Sequence, residues 1–209
     1  MLVTVIDYGV GNLRSVAKAL EAAGAEVCVS AEAADLRRAD RLVLPGVGAF
    51  AAGMPNLLKT GLIDVLTREV READKPLLAI CLGMQLLARE SEEDGWHAGL
   101  GWLPARVVEF DTRASGLKVP HMGWNEIVPR PGLPFFAGLG SRPTFYFVHS
   151  YHLAPDDPRL TVATCDYGGV FPAAVWHANI LATQFHPEKS QDNGLRLLRN
   201  FLAWSPAAC

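Results

Sequence analysis

The chain has 209 residues with a net charge of −3; half of them are hydrophobic and a fifth charged. That length suits a single domain spanning 1–209 with a substantial core, and the composition is that of a soluble globular protein. Without a basic run, an apolar stretch of roughly 20 residues or the charged and apolar regions of a signal peptide after Met1, the sequence points away from nucleic acid, membrane and secretion.

Leu2 to Ile6 predicts a strand, and Asp7-Tyr8-Gly9 begins a turn. Asn12 is placed to N-cap a helix with Leu13, Val16, Ala17 and Leu20 on one apolar face, ended by Gly24. Glu26 to Val29 predicts a second strand. Leu42-Val43-Leu44 predicts a third, stopped by Pro45-Gly46. A long helix is expected next, with Leu58, Leu62, Leu66 and Val70 near one face. Lys75-Pro76 then closes a polar stretch. Leu77 to Ile80 is uninterrupted apolar, the pattern of a buried parallel strand, and Met84, Leu86, Leu87 and Ala88 start a helix. The second half is strand-rich, over Arg106 to Phe110, Thr144 to His149, Leu160 to Thr164, Ala173 to Trp176 and Ile180 to Phe185. Asp192 to Trp204 predicts a closing helix with Leu195, Leu198 and Leu202 inward. No repeat or linker interrupts this. Alternating strands and helices imply a doubly wound α/β fold, a mainly parallel sheet flanked by helices with an added antiparallel region.

Two strings carry chemistry. AICLGMQ, Ala79 to Gln85, puts Cys81 at the carboxyl end of a strand, where open α/β sheets place their ligands. Strand, nucleophile and helix follow as in a nucleophile elbow, with Gly83 as the small residue after the turn. Neither Ile80 nor Leu82 is small, so this is a relative of G-x-S-x-G. A helix N-terminus favours thiolate, and the Leu82 N–H can donate to an oxyanion. A lone Cys is more often a buried structural thiol. The second string, QFHPE from Gln184 to Glu188, reverses those odds. His186 falls at a strand end and Glu188, two residues on, lies on the same side of an extended chain. Pro187 keeps His186 extended. Nucleophile, base and orienting acid together point to acyl transfer through a thioester.

Cys28, Cys81, Cys165 and Cys209 show no CxxC and no metal-ligand spacing, so neither a metal nor another cofactor is expected. Cys28 and Cys165 read as core thiols and Cys209 as an exposed terminal one. A thiol nucleophile requires a reducing compartment, most simply the cytoplasm. His149 has no acid close in its string and reads as structural, as do His121 and His152.

IDYGVGN (Ile6 to Asn12), LPGVGAF (Leu44 to Phe50), CLGMQLL (Cys81 to Leu87), PHMGWN (Pro120 to Asn125), FVHSY (Phe147 to Tyr151) and QFHPEKS (Gln184 to Ser190) occur in the order found in a known family. Over nearly its whole length the chain resembles the class I glutamine amidotransferases. CLGMQ and HPE specify only that class. PGVGAF, HMGWN and HPEKS narrow the resemblance to the glutaminase subunits of imidazole glycerol phosphate synthase, from histidine biosynthesis. The resemblance implies a flavodoxin-like fold and a triad of Cys81, His186 and Glu188. It implies an oxyanion hole from Leu82 and the PGVG loop at Val47 and Gly48, and glutamine held by Gly48, Gln85, Glu93, Ser150 and Tyr151. Gly46 and Gly48 would let the loop rotate as a switch. The resemblance further implies a 1:1 heterodimer in which Asn12, Met122, Trp124 and Lys189 face a cyclase subunit, a (β/α)₈ barrel. That subunit uses the ammonia to make imidazole glycerol phosphate and AICAR.

Glu93 has the alternative of an ordinary exposed acid in SEED, and PHMGWN that of a core turn. Other readings share parts of the pattern. Another amidotransferase glutaminase, such as that of pyridoxal phosphate synthase, is expected to carry a GGES-type loop in place of PGVG. A cysteine peptidase or DJ-1-like protein lacks the late HPE string. A binding module that lost catalysis would not need all three triad residues.

Overall fold

The computed structural model describes residues 1–111 and 116–206; Cys209, expected to be exposed, lies outside the described residues. The first half alternates strand and helix: β1 (Leu2–Ile6), α1 (Leu13–Ala23), β2 (Glu26–Ser30), α2 (Ala33–Arg38), β3 (Arg41–Leu44), α3 (Phe50–Lys59), α4 (Ile63–Leu66), β4 (Leu77–Ile80) and α5 (Leu82–Leu86). Short strands β5 (Glu90–Ser91) and β6 (His97–Ala98) follow, then β7 (Ala105–Glu109), β8 (His121–Pro129), β9 (Thr144–His149), β10 (Tyr151–Pro155), β11 (Thr161–Asp166), β12 (Val170–His177), β13 (Ile180–Thr183) and α6 (Gln191–Ala203).

Nine strands form one sheet in the order β2-β1-β3-β4-β13-β12-β11-β8-β9, and β10-β7-β5-β6 form a second. The pairs β1–β2, β1–β3, β3–β4 and β4–β13 are parallel. From β13 outward, β12, β11, β8 and β9 pair antiparallel. The chain therefore returns at its end to insert β13 beside β4, and the carboxyl ends of β3, β4 and β13 emerge side by side at one edge.

The uninterrupted apolar run of β4 is explained by burial on both faces. Leu78 and Ile80 pack into one core with Val3, Val5 and Val43, while Leu77 and Ala79 pack into the other with Ile6, Leu42 and Leu44. Alternate residues of a strand face opposite sides, so a strand covered by helices on both has no polar face. Each such large aliphatic side chain contributes about 1.5–3 kcal/mol by leaving water. Asn12 caps α1 as its side chain suggested, accepting the Ser15 N–H at 3.3 Å, and Gly24 closes that helix with φ at +107°.

Two expectations need correction, and one strand was not foreseen. The long helix is broken: α3 stops at Thr60, Gly61 takes φ +69°, and α4 resumes before widening into π geometry over Thr67–Glu72. Leu58 consequently points to solvent, whereas Leu62, Leu66 and Val70 stay buried. In α6 the inward face is Leu197, Leu198, Phe201 and Leu202, with Leu195 only half-buried. Of PHMGWN, His121 to Asn125 form the first part of β8, a strand the sequence reading did not anticipate, paired residue for residue with β9.

Candidate active site

Cys81 follows β4 with φ +53° and ψ −109°, a backbone conformation that a non-glycine residue rarely adopts. Strain of this kind costs of order 1–3 kcal/mol and persists only where the surroundings over-determine it. Here the Cys81 N–H donates to Thr183 O at 2.7 Å, and its carbonyl accepts from the Gln85 N–H at 3.2 Å. Gly83 makes the turn possible. A Cβ at that position would lie 2.0 Å from Leu44 O, so only glycine lets α5 start against the end of β3. The helix is five residues long, and the dipole it offers the thiol is correspondingly small.

His186 follows β13 in extended conformation, and its backbone N–H donates to Tyr146 O at 2.9 Å. Glu188 does not lie on an extended chain as expected. Pro187–Lys189 form a 3-10 turn, which folds the carboxylate back onto the imidazole. Glu188 Oε1 sits 2.8 Å from His186 Nδ1, and both side chains are almost wholly buried. Ser190 locks the turn: its hydroxyl donates to His186 O at 2.6 Å and accepts the Tyr146 N–H at 3.0 Å. The other imidazole nitrogen, Nε2, is buried and makes no geometrically acceptable hydrogen bond among the described residues. Burial pushes the His186 pKa down, but the Cys81 sulfur and then Glu188 outweigh it and hold it up, at about 10. The tie between His186 and Cys81 is thus one of charge rather than of a well-formed hydrogen bond.

The PGVG loop leaves β3 and packs against the elbow. A Cβ on Gly46 would meet Tyr8 Oη at 2.4 Å, Leu82 Cβ at 2.8 Å and Gly83 N at 2.9 Å. Gly46 is therefore required for space. Rotational freedom belongs to Gly48, which is exposed, holds φ +96° and has nothing within 4 Å of where a Cβ would be. Tyr8, read from sequence only as part of a turn, donates its hydroxyl to Pro45 O at 2.7 Å. Burial first, and the neighbouring Cys81 second, push the Tyr8 pKa far above its ordinary value, so it remains a neutral donor.

The residues expected to hold glutamine are distributed around this edge. Gln85 is buried, and its Nε2 donates to Tyr151 O at 2.9 Å and to Gln184 Oε1 at 3.3 Å. Ser150 and Tyr151 join β9 to β10 and are half-buried. Glu93 is also half-buried, and its Oε2 accepts the Phe50 N–H at 2.7 Å. It thereby caps α3 immediately after the PGVG loop. Burial raises the Glu93 pKa, opposed by that N–H bond.

Three residues expected at an interface also gather. Met122 and Trp124 are exposed on β8. The Trp124 ring meets Tyr146 at 6.1 Å, and Lys189 Nζ lies 5.5 Å from the centre of the same Tyr146 ring. Asn12 is exposed at the start of α1. Sequence reading missed Tyr146, although its carbonyl ties this patch to His186.

His121, His149 and His152, read as structural, have hydrogen-bond partners. His149 Nδ1 lies 2.9 Å from Tyr151 O, and its Nε2 lies 3.1 Å from His121 Nδ1. Cys165 is a core thiol, with burial pushing its pKa up to about 12. Cys28, expected in the core, is only half-buried because β2 is the sheet's edge strand. Among the described residues no group of three or more His, Cys, Asp or Glu side chains is arranged to hold a metal.

A strained thiol, a buried His–carboxylate pair and a glycine loop thus stand together at one parallel-sheet edge. The glutamine amidotransferase class-I profile matches residues 4–204, and the chain belongs to that family. Within it, the chain is 53% identical to the imidazole glycerol phosphate synthase subunit HisH of Syntrophotalea carbinolica, over 96% of this chain and 98% of that one. It is 47% identical to subunit HisH 2 of Pseudomonas aeruginosa, over 96% and 98%. These full-length likenesses place it among the HisH subunits. A crystal structure of a glutamine amidotransferase superposes with TM-score 0.74 at 23% identity, covering 99% of both chains, and shows the shared fold.

Proposed function

We propose that this chain, folded as one domain, is the ammonia-producing subunit of an imidazole glycerol phosphate synthase, with Cys81, His186 and Glu188 as its catalytic triad. The observation that carries this is the convergence of β3, β4 and β13, which brings the glycine loop, the thiol and the base to one edge. Cys81 Sγ attacks the side-chain amide carbon of glutamine, forming a C–S bond as the carbonyl becomes an oxyanion. The N–H groups of Leu82 and of Val47 or Gly48 stabilise that charge. Each such donor contributes about 2.7–4 kcal/mol to lowering the barrier. The proton leaving the thiol resides on His186, held there by Glu188. On collapse the C–N bond breaks, His186 protonates the leaving nitrogen, and ammonia departs. Water, deprotonated by His186, then hydrolyses the thioester to glutamate and free thiol.

Glutamine would lie over Gly48 and Gln85, with Ser150 and Tyr151 beside it and the α-ammonium facing Glu93. Ammonia released into water would be protonated and lost, so the acceptor must dock against the site. The exposed Met122 and Trp124, with Lys189 and Asn12, suit that contact: Met and Trp are typical interface anchors. The acceptor is the cyclase subunit, and the pair works in the cytoplasm. Among the described residues no helix is long and apolar enough to cross a membrane.

The test is glutamate release from glutamine by the purified chain, with and without the cyclase and its nucleotide substrate. Strong stimulation, abolished by Cys81→Ala, is the expected result. Equal hydrolysis in both conditions would remove the pairing and leave a glutaminase in need of another acceptor.

A further inference from the structure

Gln184 sits between the two halves of the triad and has no role in the mechanism above. It follows β13, its backbone N–H donates to Ala173 O at 2.8 Å, and it is entirely shielded from solvent. Its side chain does not point into the aliphatic core. Nε2 lies 3.6 Å from Cys81 Sγ, within hydrogen-bonding range of sulfur.

The polarity of this amide is fixed from outside. Tyr151 O is a backbone carbonyl and only accepts, so the Gln85 group 2.9 Å away must be its NH₂. That NH₂ has a second hydrogen, which goes to the Gln184 side chain at 3.3 Å. The atom receiving it must be an acceptor, Oε1, which leaves Nε2 facing the sulfur. Flipping either amide would set two donors or two acceptors against each other inside a buried site, at the expense of an unmade hydrogen bond. The chain Tyr151 C=O, Gln85, Gln184, Cys81 therefore runs one way, from a fixed carbonyl to the nucleophile.

We propose that Gln184 is a further catalytic residue of this centre, its carboxamide donating a permanent hydrogen bond to Cys81 Sγ that stabilises the sulfur whenever it carries negative charge. This rests on Cys81 being the nucleophile. The other polar neighbour of Sγ, Val148 O at 4.0 Å, is an acceptor and suits only the protonated thiol. His186 gives its proton away during the reaction, whereas a carboxamide keeps both of its hydrogens. Gln184 is thus the donor that remains on sulfur through both half-reactions. Its bond is strongest to the attacking thiolate and to the thiolate expelled when the thioester is hydrolysed, and weak to the neutral thioester sulfur between them.

The test is alkylation of Cys81 by iodoacetamide as a function of pH, a reaction that needs neither glutamine, oxyanion hole nor partner. Gln184→Met keeps the length and apolar volume of the side chain and removes the N–H. A hydrogen bond to a charged group is worth enough to change the rate about tenfold or more. The variant is expected to react about tenfold more slowly at pH 7, with its pH profile displaced upward by about one unit. Its kcat should fall with little change in KM, because the bond acts on sulfur rather than on glutamine. Should Gln184→Met fail to fold, Gln184→Leu removes the donor without adding a charge beside the sulfur, and its profile must move the same way. Superimposable alkylation profiles for wild type and variant would overturn the proposal and leave Gln184 as a packing amide. The glutaminase reading fails separately, if a glutamine-like chloroketone does not label Cys81 in the wild-type chain.

Discussion

The elbow at Cys81 and the loop at Pro45 to Gly48 stand against each other, yet they are held in opposite ways. The elbow is buried, its strained residue is hydrogen-bonded through both backbone groups, and Gly83 lets it press on Leu44. The loop is held near its ends, at Pro45 O by the Tyr8 hydroxyl and at Phe50 N by Glu93. Between those clamps Gly48 is exposed, with open space where a Cβ would be. A nucleophile must keep its aim, so rigidity serves it. The proposed second oxyanion donor would need only one peptide of the loop to rotate, and Gly48 is where the backbone has the freedom for it. Glu93 belongs to both tasks: it caps the helix after the loop and stands where the α-ammonium of glutamine is proposed to bind. Substrate binding and loop geometry therefore share one carboxylate.

Breaking the rigid side should have the larger effect. Gly83→Ala places a Cβ 2.0 Å from a backbone oxygen, which no side-chain motion relieves. The end of β3 or the start of α5 must shift. We expect a loss of about 2–3 kcal/mol in urea unfolding, in the range for overpacking a core, and glutamine hydrolysis reduced by about a thousandfold or more. Wild-type stability together with wild-type turnover would show that the elbow is not clamped against β3.

The flexible side calls for a gentler substitution. Gly48→Ala has room for its methyl group but not for φ at +96°, a conformation that L-residues avoid. If the loop switches as proposed, alanine would close the state that needs a positive φ at this position. The ratio of partner-stimulated to basal glutamate release should fall, by about tenfold for a bias of ~1.4 kcal/mol within the usual cost of such strain. Urea unfolding should move by less than about 1 kcal/mol, since Gly48 is exposed and an added Cβ would meet nothing within 4 Å. An unchanged ratio would mean that the loop does not switch.

How far the sequence disclosed this arrangement follows from what each residue leaves as a trace. Leu77–Ile80 announced a two-sided buried strand because both faces are apolar, and Cys81-Leu82-Gly83 announced the turn because close approach demands glycine. β8 was hidden by the exposed Met122 and Trp124 and by Gly123, which spoil the alternation of a half-buried strand. The break in the long helix was hidden because Leu62, Leu66 and Val70 keep a helical period across Gly61. Gln184 left no trace in pattern or propensity. A glutamine in QFHPE reads like any polar residue, and only the carbonyl of Tyr151, 33 residues earlier in the chain, gives its amide a direction. Tyr8 was equally silent, for its partner is a single carbonyl supplied by another strand's end.

The smallest effect concerns the wall behind the elbow. His149 donates Nδ1–H to Tyr151 O, the carbonyl that also orients Gln85, and its Nε2 accepts from His121 Nδ1–H. Asn125 lies 3.3 Å from the remaining nitrogen of His121. Both imidazoles are thus neutral by construction: a second proton on His149 would set N–H against N–H. Burial pushes the His149 pKa down to about 3, against the opposing pull of the Tyr151 carbonyl, and pushes that of His121 down to about 4. Both values lie below the unfolded value of 6.5. As pH falls below 6.5, the unfolded chain takes up protons that the folded chain refuses, so stability is lost until the folded groups themselves titrate near 4 and 3. The limiting slope is ~1.4 kcal/mol per pH unit for each histidine. His186 adds nothing to this limb, since its raised pKa stabilises the fold fully below 6.5 and is lost only as pH rises through about 10. Urea unfolding at pH 7, 6 and 5 should show the wild type losing stability more steeply than His149→Gln by about that slope. The variant starts lower at pH 7, having lost a buried partner, and the two curves converge as the pH falls. Parallel curves would mean that His149 accepts a proton in the folded chain and that the one-way chain of donors through Tyr151 O does not hold it neutral.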